Sequence, residues 1–243
     1  MNSERLSPRL NRVAQLIGQY GPQPIRLADI GSDHAYLPCN LKLNETISYA
    51  IAGEVVEGPF QSAVKEVNQQ GFSNVIDVRK GDGLEVVTPE DNINTISICG
   101  MGGALIRTIL EAGLHLLTNN TIVVLQANIA EPQLRTWLSK HHFIIRDEDI
   151  IEDNSRYYEI IVAEYLPSQQ QVLSKKQRLF GPVNLRQPDA TYIAKWQQEL
   201  HSQEKVYASM KAGLEDANHP KLVEIEKHLQ LIREELARVE KTN

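Results

Sequence analysis

Two carboxylates flank a glycine where the first predicted strand of the chain ends. The strand covers residues 25–30, and it breaks at Gly31 between Asp29 and Asp33. In open α/β sheets, ligands bind outside the carboxyl ends of the strands, and glycine lets the backbone approach them closely. Carboxylates suit a ligand with an amine or ribose hydroxyls better than one with phosphates. The stretch predicts a cofactor site, although the loop alone fits a tight turn with a capping Asp equally well.

Acidic residues also follow the second and third predicted strands. The strand at Tyr49–Gly53 leads into Glu54, 25 residues after Asp29. An acid at about this spacing binds ribose, because one carboxylate accepts from both hydroxyls; the alternative is an exposed acid at a strand end. Asp82 precedes Gly83 in a Gly-Asp-Gly turn. That position suits the exocyclic amine of an adenine, but a β-turn needs the same residues, and the dipeptide alone favours the turn.

Three further positions carry candidate chemistry. A glycine-rich turn, Cys99–Gly103, follows the fourth strand; it lacks the Lys-Ser/Thr pair of a P-loop, so close backbone approach is the favoured interpretation. Arg9 lies near the start of a helix opened by Ser7-Pro8. It either belongs to a solvated charged face or reaches a cofactor carboxylate or substrate phosphate. Asn128, after the fifth strand, either caps the next helix or faces the substrate.

The order of the predicted elements indicates the architecture. Five strands alternate with helices, and two more, Phe143–Ile151 and Tyr157–Tyr165, follow with a short polar turn between them. That turn is too short for a helical crossover, so the last two strands pair antiparallel. The pattern predicts an α/β fold with a seven-stranded, doubly wound sheet whose last strand is reversed.

The chain changes character after residue 167, which predicts a domain at 1–167 and a second at 168–243. Apolar residues repeat every three or four positions in two helical segments around a turn at Asn218–Pro220. Two such seams predict an antiparallel coiled-coil hairpin. The hairpin serves dimerisation or structure, or it carries a basic cluster to a polyanion. The seam positions are Ile193, Trp196, Leu200, Gln203, Tyr207, Met210, Leu214, Leu222, Ile225, Leu229, Ile232, Leu236 and Val239. The basic cluster is Lys175, Lys176, Arg178, Arg186 and Lys195.

Composition narrows the class of protein. The net charge of −6 argues mildly against nucleic acid, but it is uneven: residues 1–167 carry 13 Lys and Arg against 21 Asp and Glu, whereas 168–243 carry 12 against 10. The two cysteines, Cys39 and Cys99, fit reduced core thiols. The chain shows no apolar leader and no run of about 20 apolar residues. We therefore expect a cytoplasmic protein that does not associate with a membrane. We also expect a monomer or weak dimer, and no metal site.

Five motifs carry a resemblance to a known family. The pattern of elements and acids looks like the class I S-adenosylmethionine-dependent methyltransferase fold, although Asp33 and Ala35 replace two glycines of its usual first loop. The five motifs are Leu27–Cys39, Ala50–Val56, Gly58–Ala63, Gly81–Leu84 and Ile98–Gly103. Together with the unusual Ser-Asp-His-Ala loop, they resemble the bacterial tRNA (adenine(22)-N(1))-methyltransferase family, the TrmK type.

The resemblance implies S-adenosylmethionine as methyl donor, tRNA as substrate and methyl transfer to N1 of adenine 22. Adenine N1 has a lone pair that attacks the sulfonium methyl in line, so positioning supplies much of the rate. Asp33, His34 and Asn128 are the expected catalytic residues. The expected cofactor-binding residues are Arg9, Asp29, Gly31, Asp33, Glu54, Val55, Asp82, Gly83, Gly100 and Met101.

Three other functions remain as alternatives. The chain could be an S-adenosylmethionine-binding regulatory or interaction module that does not methylate RNA, with the hairpin as its working part. Covalent methylation of a pyrimidine carbon through Cys99 or Cys39 is disfavoured, because Cys39 lies away from the expected acceptor and Cys99 has no base nearby in sequence. A nicotinamide dehydrogenase is disfavoured by the acidic first loop.

Overall fold

The computed structural model describes residues 2–213 and 219–241, in which seven strands form one mixed sheet. The order of the strands is β3-β2-β1-β4-β5-β7-β6. Strands β1 to β5 are parallel, and β7 pairs antiparallel with both β5 and β6. Their bounds are β1 Arg26–Ile30, β2 Tyr49–Glu54, β3 Ile76–Lys80, β4 Thr95–Met101, β5 Ile122–Ala127, β6 Phe143–Asp153 and β7 Arg156–Tyr165.

Helices cover both faces of the sheet, so the parallel strands are buried on both sides. Helices α1 to α3 pack with one hydrophobic cluster and α4 and α5 with the other. Successive residues of β1 alternate between them: Leu27 belongs to the first cluster and Ala28 to the second. The helices are α1 Pro8–Tyr20, α2 Tyr36–Leu43, α3 Glu57–Gln69, α4 Gly103–Gly113, α5 Glu131–Lys140, α6 Lys175–Phe180, α7 Ala190–Gly213 and α8 Pro220–Glu240.

The predicted α/β fold is confirmed, including the antiparallel β6–β7 hairpin. One strand end was predicted wrongly, one of two alternatives for Asn128 is excluded, and one helix was not predicted. Strand β4 does not stop at Ile98; it continues through a bulge to Met101. Asn128 does not cap α5, because the residue before that helix is Ala130, in a left-handed conformation. Helix α6 was not predicted, although a capping box between Ser174 and Gln177 fixes its start.

The chain divides into two compact units, residues 1–183 and 184–243, whereas the expected domain boundary lies at 167/168. The polar stretch after Leu166 resembles a linker in composition. Buried anchors nevertheless hold the segment that follows to the first unit: the side chain of Phe180 is fully buried, and the Val183 N–H donates to Glu148 Oε2 at 2.8 Å.

The second unit contains a helical hairpin formed by α7 and α8. Tyr192 near the start of α7 donates to Glu235 near the end of α8 at 3.0 Å, so the two helices run antiparallel. Every predicted seam position that the structure describes is buried or half-buried, whereas Leu214 and Asn218 lie outside the described residues. The hairpin is thus present, and its coiled-coil packing stays a prediction. Among the helices in the described part of the chain, none has the length and apolar character needed to cross a membrane.

Candidate active site

A pocket of about 360 Å³ opens at the carboxyl ends of β1, β2 and β4. This is the edge of the sheet where the winding reverses between β1 and β4, the usual ligand position in such folds. The start of α1 contributes one wall and the β1–α2 loop another. The residues that line the pocket are Arg9, Leu10, Asp29, Gly31, Ser32, Asp33, Tyr36, Leu37, Glu54, Cys99, Gly100 and Met101.

The loop after β1 is strained. Gly31 has φ +70°, and a Cβ added there would collide with Met101 Cε. Asp33, His34 and Ala35 then follow in the left-handed region at φ 28°, 59° and 53°, which costs a non-glycine residue roughly 1–2 kcal/mol. Strain of this kind persists where surrounding packing holds it, and it concentrates at binding sites.

Asp29 is a buried carboxylate at the base of the pocket. It accepts hydrogen bonds from the hydroxyls of Ser32 and Ser97, each at 2.6 Å. Burial raises the pKa of Asp29, the two serine hydroxyls oppose that shift, and the nearby charge of Glu54 adds to it. The site therefore holds an acid that is costly to ionise in the absence of a positively charged partner.

Glu54 ends β2 and is oriented by the backbone that follows it. Its Oε1 accepts from the N–H groups of Val55 and Val56 at 3.0 and 3.1 Å, and the residue is 7% exposed. The Val55 and Val56 side chains are themselves 54% and 56% exposed. The carboxylate is therefore fixed at the pocket wall with apolar side chains next to it in the chain.

The bulge in β4 is surrounded by polar side chains. Gln126, fully buried at the end of β5, accepts from the Gly100 N–H at 3.0 Å and from Arg9 Nη1. Asn128 accepts from Gln126 Nε2 at 3.1 Å and donates to the Gly100 carbonyl at 2.7 Å. The Arg9 guanidinium also lies over the ring of Tyr158, 5.0 Å from its centroid. Arg9 is thus held at the pocket by α1 and β5 together.

Asp33 and His34 lie at the mouth of the pocket and are accessible. Their side chains are 66% and 44% exposed, with Asp33 Oδ1 3.4 Å from His34 Nε2. The His34 ring stacks on Tyr36 at a centroid distance of 5.1 Å. A carboxylate and an imidazole at an open mouth can contact a macromolecular substrate that a closed pocket would exclude.

The structure brings together seven of the residues that the sequence analysis selected. Arg9, Asp29, Gly31, Asp33, Glu54, Gly100 and Met101 all line the pocket, whereas His34, Val55, Asp82, Gly83 and Asn128 are not among its lining residues in the described part of the chain. Asp82 is exposed, and Gly83 has φ +55°, as a turn requires.

Sequence reasoning missed the residues that support the site from behind. Ser97 and Gln126 are fully buried polar side chains in otherwise apolar strands. A polar residue in a buried strand is the signal that could have found them, since it needs a hydrogen-bond partner. Ser32, Leu10, Tyr36 and Leu37 line the pocket because of the turn and helix geometry around them.

The two thiols are poor nucleophiles in this setting. Burial raises the pKa of Cys39 to about 12, and burial followed by the charge of Asp29 raises the pKa of Cys99 to about 12. Cys99 lines the pocket, but it is almost wholly protonated near neutral pH. Covalent catalysis through either cysteine is therefore unsupported.

Comparisons with known proteins match the chain over nearly its whole length. The family model for tRNA (adenine(22)-N(1))-methyltransferase matches residues 27–234. The protein of that name from Bacillus subtilis strain 168 is 40% identical, over 96% of this chain and 98% of its own.

Two solved structures that contain a bound ligand are also similar to this chain. Sp1610 from Streptococcus pneumoniae, in complex with S-adenosyl-L-methionine, is 39% identical with a TM-score of 0.84, covering 96% of this chain and 100% of that one. TrmK from M. capricolum, in complex with S-adenosyl-homocysteine, is 27% identical with a TM-score of 0.81, covering 96% and 98%. The chain belongs to the tRNA (adenine(22)-N(1))-methyltransferase family.

Proposed function

We propose that this pocket binds S-adenosylmethionine and that the chain transfers its methyl group to N1 of adenine 22 in tRNA. The observation that carries the proposal is the pocket itself: three carboxylates and one guanidinium converge at the switch point of a methyltransferase-type sheet. Membership of the family and the bound ligands of the two similar structures support the same donor.

The polar groups of the pocket match the donor one by one. Glu54, fixed by two backbone N–H groups, is placed to accept from ribose hydroxyls. The buried carboxylate of Asp29 suits the ammonium group, whose positive charge would offset the cost of ionising it. Arg9 suits the carboxylate of the donor. Gly31 and Gly100 let the backbone come close, and Val55 and Met101 offer apolar contact.

The donor supplies an electrophilic methyl group: the lone pair of adenine N1 forms the new N–C bond while the C–S pair returns to sulfur. What the chain contributes is alignment, since holding the reacting groups in line removes much of the entropic barrier. The adenine product is cationic, and the exposed Asp33 carboxylate at the pocket mouth is placed to stabilise that charge. In this proposal His34 and Asn128 contact the base edge, and the target adenine leaves its stack to enter.

The remaining assignments concern the partner and its surface. We assign residues 1–167 to donor binding and catalysis, and 168–243, with its basic cluster, to tRNA contact. We also propose a cytoplasmic location, since tRNA is the substrate, and separately a monomer or weak dimer. Asp82 and Gly83 complete the proposed adenosine contacts from the β3–β4 connection.

Methyl transfer from labelled S-adenosylmethionine to unmodified tRNA, followed by nucleoside analysis, tests the proposal. We expect 1-methyladenosine with the wild-type transcript and none when adenine 22 is replaced by guanosine. Calorimetry measures donor binding separately. Binding without methylation of any RNA would support the regulatory module instead, and absence of donor binding would refute the pocket assignment.

A further inference from the structure

The edge of the sheet beside the pocket is irregular at one residue. In the β4–β5 pair, Cys99 is opposite Gln126 and Met101 is opposite Ala127, so Gly100 is an extra residue in β4. Gly100 has φ +77°, in the left-handed region. A bulge of this kind interrupts the ladder and leaves its extra residue without a backbone partner across the strands. Something else must therefore satisfy the Gly100 peptide groups.

Two side-chain amides do so in a closed ring. The Gly100 N–H donates to Gln126 Oε1 at 3.0 Å, Gln126 Nε2 donates to Asn128 Oδ1 at 3.1 Å, and Asn128 Nδ2 donates to the Gly100 carbonyl at 2.7 Å. We refer to Gln126 and Asn128 as the amide clamp. Because each amide uses both its carbonyl and its NH₂ group, the clamp fixes the orientation of both side chains as well as the bulge.

The clamp also holds the pocket's cation. Arg9 Nη1 donates to the same Gln126 oxygen that binds the Gly100 N–H. Arg9 and Gly100 line the pocket, whereas Gln126 has no exposed surface. A fully buried amide needs all its hydrogen bonds, and losing one partner leaves a costly unsatisfied group. Gln126 is thus bonded to three residues of the proposed site without facing the pocket.

We propose that Gln126 is a positioning residue, which sets the Arg9 guanidinium and the Gly100 bulge for binding of the donor's carboxylate. The inference rests on the proposed function for the identity of the ligand. It assigns donor affinity to a residue that does not touch the donor and that acts through Arg9. It also gives Asn128 a structural role in the clamp in addition to any contact with the base.

A double-mutant cycle tests the route through Arg9. We expect Gln126→Met to raise the calorimetric Kd for S-adenosylmethionine about tenfold, as a coupling within a contacting network does. In an Arg9→Met background the same change is expected to alter Kd by less than about twofold. Gln126→Glu keeps an acceptor for Arg9 and for the Gly100 N–H, replaces the donor to Asn128 with an acceptor and adds a negative charge beside Arg9, so it should recover part of the affinity.

A matched control separates positioning from loss of a buried hydrogen bond. Thr95 lies at the opposite end of β4, is fully buried, and donates to Asn94. Thr95→Val should lower the thermal midpoint as Gln126→Met does while leaving Kd unchanged. Equal effects of Gln126→Met and Thr95→Val on Kd, or independent effects of the Gln126 and Arg9 changes, would overturn the proposal.

Amide exchange gives a readout that needs no donor. With glycine-selective ¹⁵N labelling, Gln126→Met should accelerate exchange at Gly100 and leave Gly71, far from the clamp in sequence, unchanged. Unchanged protection at Gly100 would overturn the clamp whatever the chain binds. A wild-type chain that fails to bind the donor would instead overturn the proposed function, and the exchange result would still decide the clamp.

Discussion

The carboxylate of Glu54 combines a structural and a binding role within one side chain. One oxygen accepts two backbone N–H groups, which fixes the other at the pocket wall. A neutral amide can keep the first pair of bonds, but its NH₂ group cannot accept from a ribose hydroxyl. Replacing Glu54 with Gln should therefore weaken binding of the ligand while the two backbone hydrogen bonds remain.

We expect Glu54→Gln to raise the Kd for S-adenosylmethionine by roughly ten- to a hundredfold, since hydrogen bonds to charged groups are worth about 1.5–3 kcal/mol. Calorimetry provides the measurement. Glu57→Gln is the matched control, because Glu57 is the next acid along the chain, starts α3 and pairs with Lys80 instead. A control variant that loses as much affinity would show that overall charge, and not Glu54, governs binding.

The buried carboxylate of Asp29 should make the stability of the chain depend on pH. Its pKa is raised above the ordinary value of 3.8, chiefly by burial, so the native state binds its proton more tightly than the unfolded state does. The carboxylate then costs stability increasingly as pH rises from about 4 through the native pKa. We expect Asp29→Asn to be more stable than wild type at pH 7 and to lose that advantage towards pH 4.

Urea unfolding at several pH values measures this difference. Asp33→Asn serves as the control, since it removes a mostly exposed carboxylate from the same loop. The donor affinity of Asp29→Asn should fall although the fold gains stability, the usual trade at a binding site. A stability difference that is independent of pH, or that grows towards pH 4, would contradict the account of Asp29.

At the scale of elements, Arg135 joins α5, the β6–β7 hairpin and the segment of α6. Its side chain is fully buried, ion-paired with Glu148 at 2.6 Å and with Glu159. Its Nη1 donates to the carbonyls of Arg178 and Leu179, both at 3.3 Å. Burial raises the pKa of Glu148, and the charge of Arg135 opposes this shift. One guanidinium thus neutralises two buried acids and binds the end of a helix.

We expect Arg135→Met to destabilise the chain by about 3–5 kcal/mol, because two buried carboxylates are left without a counter-charge. Arg146→Met, which removes a partly exposed pair with Glu164, should cost at most about 1 kcal/mol. Chemical denaturation measures the free energy of unfolding of both variants and so distinguishes the two losses. The Arg135→Met defect should shrink as pH falls, because burial raises the pKa of Glu148 and protonation of that acid relieves the unpaired charge. A defect that stays constant would argue against unpaired charge as its cause.

Much of the pattern of helices and strands is predictable from sequence, because the spacing of apolar residues and the positions of capping and turn residues act locally. The short helix at Tyr36–Leu43 and the β6–β7 hairpin follow from such signals. Two features depend on distant residues and could not be predicted in this way. The bulge at Gly100 exists because side chains from β5 satisfy it, and residues after 167 join the first unit because Phe180 and Val183 find partners there.

The residues of the candidate site also separate into those marked by local sequence and those that depend on distant contacts. Asp29, Glu54 and Arg9 were predictable because their position at strand and helix ends marks them in the sequence. Ser97 and Gln126 were not, since their value lies in contacts with residues 68 and 117 positions away. Three consecutive left-handed residues after Ser32 likewise follow from packing rather than from local preference.

At the scale of the whole molecule, the charge distribution conflicts with the substrate. The chain carries a net charge of −6, yet the proposed partner is a polyanion. We propose that the basic cluster resolves the conflict, because affinity for RNA depends on the phosphates actually contacted and not on total charge. Such binding must weaken as the salt concentration rises, because the release of counterions from the RNA is then less favourable.

We therefore expect the logarithm of the tRNA binding constant to fall linearly with the logarithm of KCl concentration, measured by filter binding. If Lys175 of the basic cluster contacts a phosphate, Lys175→Gln should reduce the steepness of that line by about one. Lys65→Gln, a matched exposed lysine on α3, should leave it unchanged. Equal slopes for wild type and Lys175→Gln would remove Lys175 from the RNA surface. A change with Lys65→Gln alone would move that surface from α6 to α3.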